Sequence, residues 1–464
     1  MRRNTKNESL LRRLSPQAWM ALGFISCILI GTCLLLLPLS SSGTRELGIV
    51  DMLFMATSAT CVTGLSVIDV AKDLSFFGQL VILVMIQLGG LGITTLGTFL
   101  LVLVGRRLSI QNEFVLMDAY GVGEVQGVRS LLRWSFSFTL LFEGIGAALL
   151  TWRYLVISEA QGVVMPVSEA IYYAVFHAIS AFCNAGFSLH PDCLIRFQSD
   201  PFYLPIIDVL IVLGGLGFLV LYNLATIKWW RRDLRARGRI ALHTKIVVMA
   251  TAVLLVFGSV MIGIYEWNNT LSGMPLLQKI NCAIFHGITP RTAGFNALPM
   301  SGISEGSRYL TGMLMLIGGS PGSAAGGMKT TTLVVLGMTI LTMCRGRSET
   351  VIFSRTVTQA IVREAIVICL LTFLVIVVAY GVLLSTESPL PLGAPEKLLF
   401  ETISATATVG LSIDYTTNLT AWGRCVIIVC MYLGRLGPIV IAMLIGKDFI
   451  KQRIRYPEEE IVVG

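Results

Sequence analysis

Apolar residues run through this chain in blocks at Trp19–Leu39, Leu80–Val104, Leu131–Ile157, Ile206–Ile227, Ile246–Tyr265, Leu310–Leu341, Ile366–Leu384 and Cys425–Ile445. Most reach the roughly 18 to 20 residues that carry an α-helix across a bilayer. Shorter, more polar segments recur between them with one pattern, a Phe followed nine or ten positions later by Gly. The copies are Phe54–Gly64 (FMATSATCVTG), Phe176–Gly186 (FHAISAFCNAG), Phe285–Gly294 (FHGITPRTAG) and Phe400–Gly410 (FETISATATVG). A helix is predicted after each copy. The first Gly of a second cluster lies 24 to 28 residues beyond, in LGGLG from Leu88, LGGLG from Leu213, IGGSPG from Ile317 and LGRLG from Leu433. Internal repetition decides architecture before any single residue does. Four glycine-ending polar segments in an apolar chain predict four segments converging on one axis, a pore built from one polypeptide.

Composition places the pattern in a membrane. Hydrophobic residues make up 55% and charged residues 13%, against about 25% charged in a soluble domain. The first apolar block is too long for a signal-peptide core and has no A-x-A site, so a retained helix is expected. The net charge of +8 gathers at Arg2, Arg3, Lys6, Arg12 and Arg13, at Arg106–Arg107, at Lys228–Arg239, at Arg345–Arg363 and at Lys447–Arg455. Each cluster abuts a membrane helix, which favours the positive-inside rule over nucleic-acid binding.

If every basic joint is cytoplasmic, each repeat crosses the membrane an even number of times. The glycine-ending segment must then enter and leave by one face, which membrane-depth backbone does only when buried or lining water. The expected fold is an all-α membrane protein of four helix–pore loop–helix repeats around a pseudo-fourfold pore, with eight transmembrane helices. The repeats are 18–105, 129–228, 243–343 and 362–446, between cytoplasmic termini 1–17 and 447–464. The cell membrane is the expected location, with lipid as the surroundings. The ten cysteines form no CxxC pair and lie mostly in predicted spans, favouring packing roles; a Cys183–Cys193 bridge near the outer face stays open.

Aligned on their glycines, the segments end in Cys61-Val62-Thr63-Gly64, Cys183-Asn184-Ala185-Gly186, Arg291-Thr292-Ala293-Gly294 and Ala407-Thr408-Val409-Gly410. They share no acidic ring and no metal-ligand set. Glycine with small or β-branched neighbours suits coordination by backbone carbonyls, since Gly permits the φ > 0 that turns carbonyls to the axis. Rings of carbonyls replace the hydration shell of potassium in known filters, and the C-terminal end of each preceding helix favours a cation. Arg291 fits this poorly, and is expected to bind the backbone of its own loop or a carboxylate such as Glu305.

The motifs CVTGL, NAGF, RTAGF and TVGLS resemble the superfamily of potassium transporters that includes the Trk, Ktr and plant HKT proteins. The resemblance runs from about Trp19 to Ile445 and covers all four repeats. One helix precedes the first pore segment, where Trk subunits have two further spans, so the chain is most similar to the Ktr membrane subunit. A Gly in all four filters goes with potassium selectivity in that family, and Ser in the first with sodium permeation. Gly64 therefore implies potassium. The resemblance further implies a homodimer on a cytosolic ring of RCK subunits (KtrA-like) that bind ATP or ADP. This chain itself has no nucleotide-binding motif and no cofactor is expected in it. Sodium stimulation is a family trait that no residue here displays.

The third repeat is interrupted by Gly318–Gly327 (GGSPGSAAGG), which includes Gly319, Ser320, Gly322 and Gly326, and is followed by Lys329. Such a run holds no stable helix. It is expected to be an intramembrane gating loop, 318–329, as the resemblance also implies. Arg435 replaces the second cluster glycine in repeat four, where a charge is expensive and usually functional. It is expected to form a barrier below the filter, with an ion pair to Glu143 as the rival reading. His177 and His286 are expected to be structural. Asp69, Asp192 and Asp414 either concentrate cations at the mouth or are solvated loop residues. A secondary symporter with discontinuous helices is the alternative function; it would not need four filter-like segments in register. An intramembrane hydrolase using His177 and Ser180 lacks a nucleophile elbow or paired acid, and no enzyme activity is expected.

Overall fold

Repeat one comprises α1 (Pro16–Leu35), α2 (Ile49–Thr60) and α3 (Phe76–Leu91). Repeat two comprises α4 (Val128–Ala160), α5 (Val167–Phe182), α6 (Tyr203–Leu216) and α7 (Phe218–Thr226). Repeat three comprises α8 (Leu242–Glu266), α9 (Leu276–Ile288), α10 (Glu305–Met315) and α11 (Thr330–Cys344). Repeat four, after a small hairpin of β1 (Val351–Ile352) and β2 (Arg355–Thr356), comprises α12 (Gln359–Thr386), α13 (Ala394–Thr406) and α14 (Ala421–Leu436). This computed structural model describes residues 16–92, 128–227 and 240–437, apart from 44, 46, 163–164, 348 and 390–392. The expected basic clusters at residues 2–13, 106–107, 228–239 and 447–455 lie outside the described residues, as does the segment 447–464 expected to be a cytoplasmic C-terminus. Arg345, Arg347, Arg355 and Arg363, between repeats three and four, are all exposed.

Burial sorts the helices by role. The first helix of each repeat is long and apolar enough to cross a membrane, yet only 17–33% of each span is buried. Leu140, Val256 and Phe373 stand exposed on them, as an apolar solvent requires and water does not tolerate over a whole face. The short helices α2, α5, α9 and α13 are the reverse. The repeat Phe sits inside on each, with Phe54, Phe176 and Phe285 wholly buried and Phe400 nearly so.

The second helix of each repeat departs from the continuous span expected from its hydrophobic block. Not only the third but every one stops at its glycine cluster. Gly92, Gly217 and Gly437 adopt φ of 83°, 87° and 84°, left-handed values that end a helix and that glycine alone takes without strain. At Gly217 the chain turns 93° from α6 into α7. The inner continuations beyond Gly92 and Gly437 lie outside the described residues. The first glycine of the clusters in repeats one, two and four has a separate task. A methyl group on Gly89, Gly214 or Gly434 would strike the carbonyl oxygen of Thr60, Phe182 or Thr406, the last residue of the pore helix of its own repeat. These glycines thus let α3, α6 and α14 lie directly on the ends of α2, α5 and α13, whereas Gly318 of repeat three meets the Gly326 carbonyl of its own loop.

Successive repeats are tied side by side. Tyr172 donates to Gln79 Oε1 at 2.7 Å, joining repeats two and one, and Asn281 donates to the Pro201 carbonyl at 3.2 Å, joining three and two. Arg308 pairs with Glu396 at 3.8 Å between three and four. Arg424 of α14 pairs with Asp51 of α2, and so joins the last repeat to the first. Both side chains of this closing pair are mostly buried (15% and 10% exposed). Breaking a buried pair from one side strands a charge and costs about 3 kcal/mol. Arg424→Leu is therefore expected to lower the thermal midpoint of the detergent-solubilised protein clearly, and Asp51→Asn added to it to recover part of the loss.

Candidate functional site

The four quartets continue directly from the ends of α2, α5, α9 and α13 and share one backbone pattern. The second residue is left-handed in each: Val62 (φ 56°), Asn184 (58°), Thr292 (70°) and Thr408 (51°). So is the fourth: Gly64 (94°), Gly186 (70°), Gly294 (78°) and Gly410 (94°). A β-branched residue at φ > 0 is a genuine outlier that costs about 1–3 kcal/mol and survives only where its surroundings over-determine it. Three of the four second residues are β-branched.

The quartets close into a ring in chain order. A methyl on Gly64 would meet the carbonyl oxygen of Ala185, one on Gly186 that of Ala293 at 2.8 Å, one on Gly294 that of Val409, and one on Gly410 that of Thr63. Each glycine thus lies against the third carbonyl of the next repeat, and the fourth repeat returns to the first. The ring leaves no room for a side chain at any of the four positions. Outside it opens a cavity of about 350 Å³ lined by the four glycines, with Asp69 and Asp414 on its wall. Asp192 does not line it and pairs instead with Arg196 at 2.9 Å.

Two layers of side chains hold the ring from behind. Ser58 and Ser404 accept from the amides of Gly64 and Gly410 at 3.1 Å. Ser180 and Thr289 donate to the carbonyls of Phe187 and Phe295 at 2.8 and 2.6 Å. These four hydroxyls stand four positions after the repeat Phe in every copy, a register visible in the sequence but not read from it. One position after Phe stand Met55, His177, His286 and Glu401. His177 Nε2 meets Ser188 Oγ at 2.9 Å, His286 Nε2 accepts from the amides of Ala297 and Leu298 at 3.3 and 3.1 Å, and Glu401 accepts from Ser412 and Thr416. Both histidines are therefore engaged in holding the segment that leaves the ring. His177 Nδ1 also faces Tyr154 Oη at 3.3 Å, and Tyr154 reaches His190 Nε2 at 2.9 Å.

Beneath the ring lies the glycine-rich segment of repeat three, non-helical between α10 and α11 as expected. On one side it meets the helix break of repeat two: Ser320 donates to the Gly215 carbonyl at 3.0 Å, and the Phe218 amide donates to the Gly322 carbonyl at 3.0 Å. Methyls on Gly326 and Gly327 would touch Thr408 Oγ1 and the Ala407 carbonyl of repeat four on the other side. Repeats two and four flank repeat three in the ring, so the segment spans the gap between its two neighbours at the level of the first and second residues of the fourth quartet. Within it, Gly318 N bonds the Met328 carbonyl at 2.8 Å and Thr330 N the Gly319 carbonyl at 3.1 Å, closing its neck.

Three cationic side chains converge on this segment and all donate to its carbonyls. Lys329 Nζ meets the Ala325 carbonyl at 2.7 Å. Arg435 donates to the carbonyls of Ala324 and of Gly89 in repeat one. Arg291, buried at 7% exposure, donates to the Gly318 carbonyl at 3.3 Å. The expected tie of Arg291 to its own quartet or to Glu305 is thus corrected: it links the third quartet to the start of the loop, and Glu305 is exposed in the first turn of α10. The rival pairing of Arg435 with Glu143 is also absent among the described residues, Glu143 being bonded to Gln87. Cys183 and Cys193 are free thiols.

His190 gives the outer wall a pH signature. Its Nδ1 lies 3.1 Å from the Arg196 guanidinium. Burial first, then neighbouring His177 and Arg196, push it down from the ordinary 6.5 to about 2. A depressed group binds fewer protons folded than unfolded, so its contribution is complete above the unfolded pKa and declines as pH falls below it. The thermal midpoint of the solubilised protein is expected to drop on going from about pH 7 to about pH 5, by ~1.4 kcal/mol of stability per unit below the unfolded pKa. His190→Gln should flatten that dependence.

The sequence matches the TrkH family, described as cation transport protein, over residues 16–451. It is 35% identical to Ktr system potassium uptake protein B of Bacillus subtilis across 97% of both chains. It is 36% identical to potassium/sodium uptake protein NtpJ of Enterococcus hirae across 98% of both. The potassium transporter TrkH of Vibrio parahaemolyticus has the same fold, with a TM-score of 0.71 over 96% of this chain and 87% of that one at 17% identity. The closed ring of four repeats, the lipid-facing first helices and these likenesses agree, and the chain belongs to the TrkH family of cation transport proteins.

Proposed function

We propose that this chain carries potassium into the cell through the ring of quartets, driven by the membrane potential at about 2.3 kcal/mol per charge per 100 mV. The observation that carries the reading is the ring itself: four glycines, each against a backbone carbonyl of the next repeat, at the C-terminal ends of four buried helices. Oxygens so held substitute for water around a desolvated monovalent cation, and the helix ends add a partial negative charge. Cys61–Gly64, Cys183–Gly186, Arg291–Gly294 and Ala407–Gly410 form the filter in this reading, and the cavity outside is its mouth. The names of the Ktr and NtpJ relatives support potassium as the ion.

The loop Gly318–Lys329 is the gate in the same reading. It reaches from the helix break of repeat two to the fourth quartet, and Lys329 and Arg435 place positive charge below a cation filter. Lys329 and Arg435 each donate to a loop carbonyl while the loop is in place, and Arg435 also to Gly89 of repeat one, so closure is both steric and electrostatic. Opening requires α11 to draw the neck aside. The relatives named as protein B of a Ktr system imply a further component, and we assign it to a cytosolic RCK-type ring that binds ATP or ADP and acts on a homodimer of this chain. The termini are cytoplasmic in this arrangement, and sodium stimulation belongs to the complex.

Rubidium uptake into cells lacking their own potassium systems tests filter and gate together. Saturable uptake is expected for the wild type. Gly64→Ser should collapse the preference for potassium over sodium, because the added side chain meets Ala185 in a left-handed residue. Shortening Gly318–Gly327, or Arg435→Ala, should produce leak. An unchanged ion preference in Gly64→Ser would remove the ring from the filter role and bring the symporter forward.

A further inference from the structure

Glu143 lies in the middle of α4 and is 7% exposed. Among the described residues no Lys or Arg lies within ion-pair distance of it. Its Oε2 accepts from Gln87 Nε2 of α3 at 3.3 Å, and its Oε1 faces Cys183 Sγ at 3.7 Å. The same thiol faces Gln87 Oε1 at 3.8 Å, and a methyl on Gly90 would overlap it. A carboxyl, an amide and a backbone therefore enclose the side chain of the first residue of the second quartet. Two residues further along α3 the Gly89 carbonyl receives Arg435.

An acid at membrane depth is expensive and is seldom kept for packing alone. The scaffold does not demand one. In repeat one the first helix meets the end of α2 through a neutral contact, with Thr60, the residue before the first quartet, donating to Cys27 Sγ at 3.9 Å. Phe182 and Phe142 already stack beside the second quartet. The polar cluster adds direction to this apolar packing: it sets where the Cys183 side chain points, and through it the backbone that begins the quartet. Selection between monovalent cations depends on how carbonyls are placed and how freely they move.

We propose that Glu143 is a positioning residue of the ion pathway, which with Gln87 pins the Cys183 side chain and so holds the second quartet in its potassium-selecting geometry. This rests on the filter reading above. The test is the ratio of potassium to sodium uptake, together with abundance in the membrane. Glu143→Gln keeps a polar partner for both neighbours and is expected to retain the wild-type ratio. Glu143→Leu leaves Gln87 and Cys183 facing an apolar group and is expected to lower the ratio about tenfold, the scale of one buried unsatisfied partner. Cys183→Ala removes the side chain that is held and should lower the ratio similarly; it carries the test if Glu143→Leu fails to reach the membrane. A wild-type ratio in Glu143→Leu or in Cys183→Ala would overturn the inference, as would a loss in Glu143→Gln equal to that in Glu143→Leu. Gly64→Ser runs alongside. If it shifts the ratio and the Glu143 and Cys183 variants do not, this inference alone fails; if it leaves the ratio unchanged, the filter reading fails.

Discussion

Four stretches of backbone meet at one axis with only glycine Cα atoms between them. That contact constrains everything around it. No side chain fits at Gly64, Gly186, Gly294 or Gly410, and each glycine must be left-handed. Such a backbone forms no continuous helix, and at membrane depth its polar groups have no water to fall back on from behind. The second layer answers this. Ser58 and Ser404 take ring amides, Ser180 and Thr289 take the carbonyls just beyond, and His177, His286 and Glu401 hold the departing strands. The second helices press on the pore helices through Gly89, Gly214 and Gly434, and the first helices give the assembly its lipid-facing coat.

Electrostatics beneath the ring run opposite to what a cation path needs. Arg291, Lys329 and Arg435 converge there, and their bonds recorded there go to carbonyls. Charged donors to neutral carbonyls form strong hydrogen bonds, yet they leave the positive charge in place. A loop held by three cations is therefore tied down, and in the proposed reading it is itself part of a barrier. The same carbonyls cannot serve ion and guanidinium at once, which in the proposed reading couples the position of the loop to the state of the path below the ring.

Repeat symmetry is kept in the backbone and broken in the side chains. The left-handed second and fourth residues recur in all four quartets, whereas the first residue is Cys, Cys, Arg and Ala. Those first residues point to different supports: Cys183 to Glu143 and Gln87, Arg291 to the loop neck. Asp69 and Asp414 share the outer wall while Asp192 is drawn off by Arg196, so the mouth is uneven as well.

The sequence by itself determined the class, the number of repeats, the ring of glycines and the interruption in repeat three, because each is a matter of spacing and residue type: apolar block length, a Phe-to-Gly interval of nine or ten positions, and ten residues that cannot hold a helix. Tertiary structure decided what those residues touch. That every second helix stops at its glycine cluster, that Gly89, Gly214 and Gly434 sit on the ends of α2, α5 and α13, and that the loop runs from repeat two to repeat four all depend on contacts between segments far apart in the chain. Arg291 illustrates the limit. Its type and position were legible, but its partner lies 27 residues away at the neck of a loop, and only the packed ring places them together. Val62, Thr292 and Thr408 show the same thing in the backbone: nothing in a β-branched residue announces a left-handed φ, which the surrounding ring imposes against local preference.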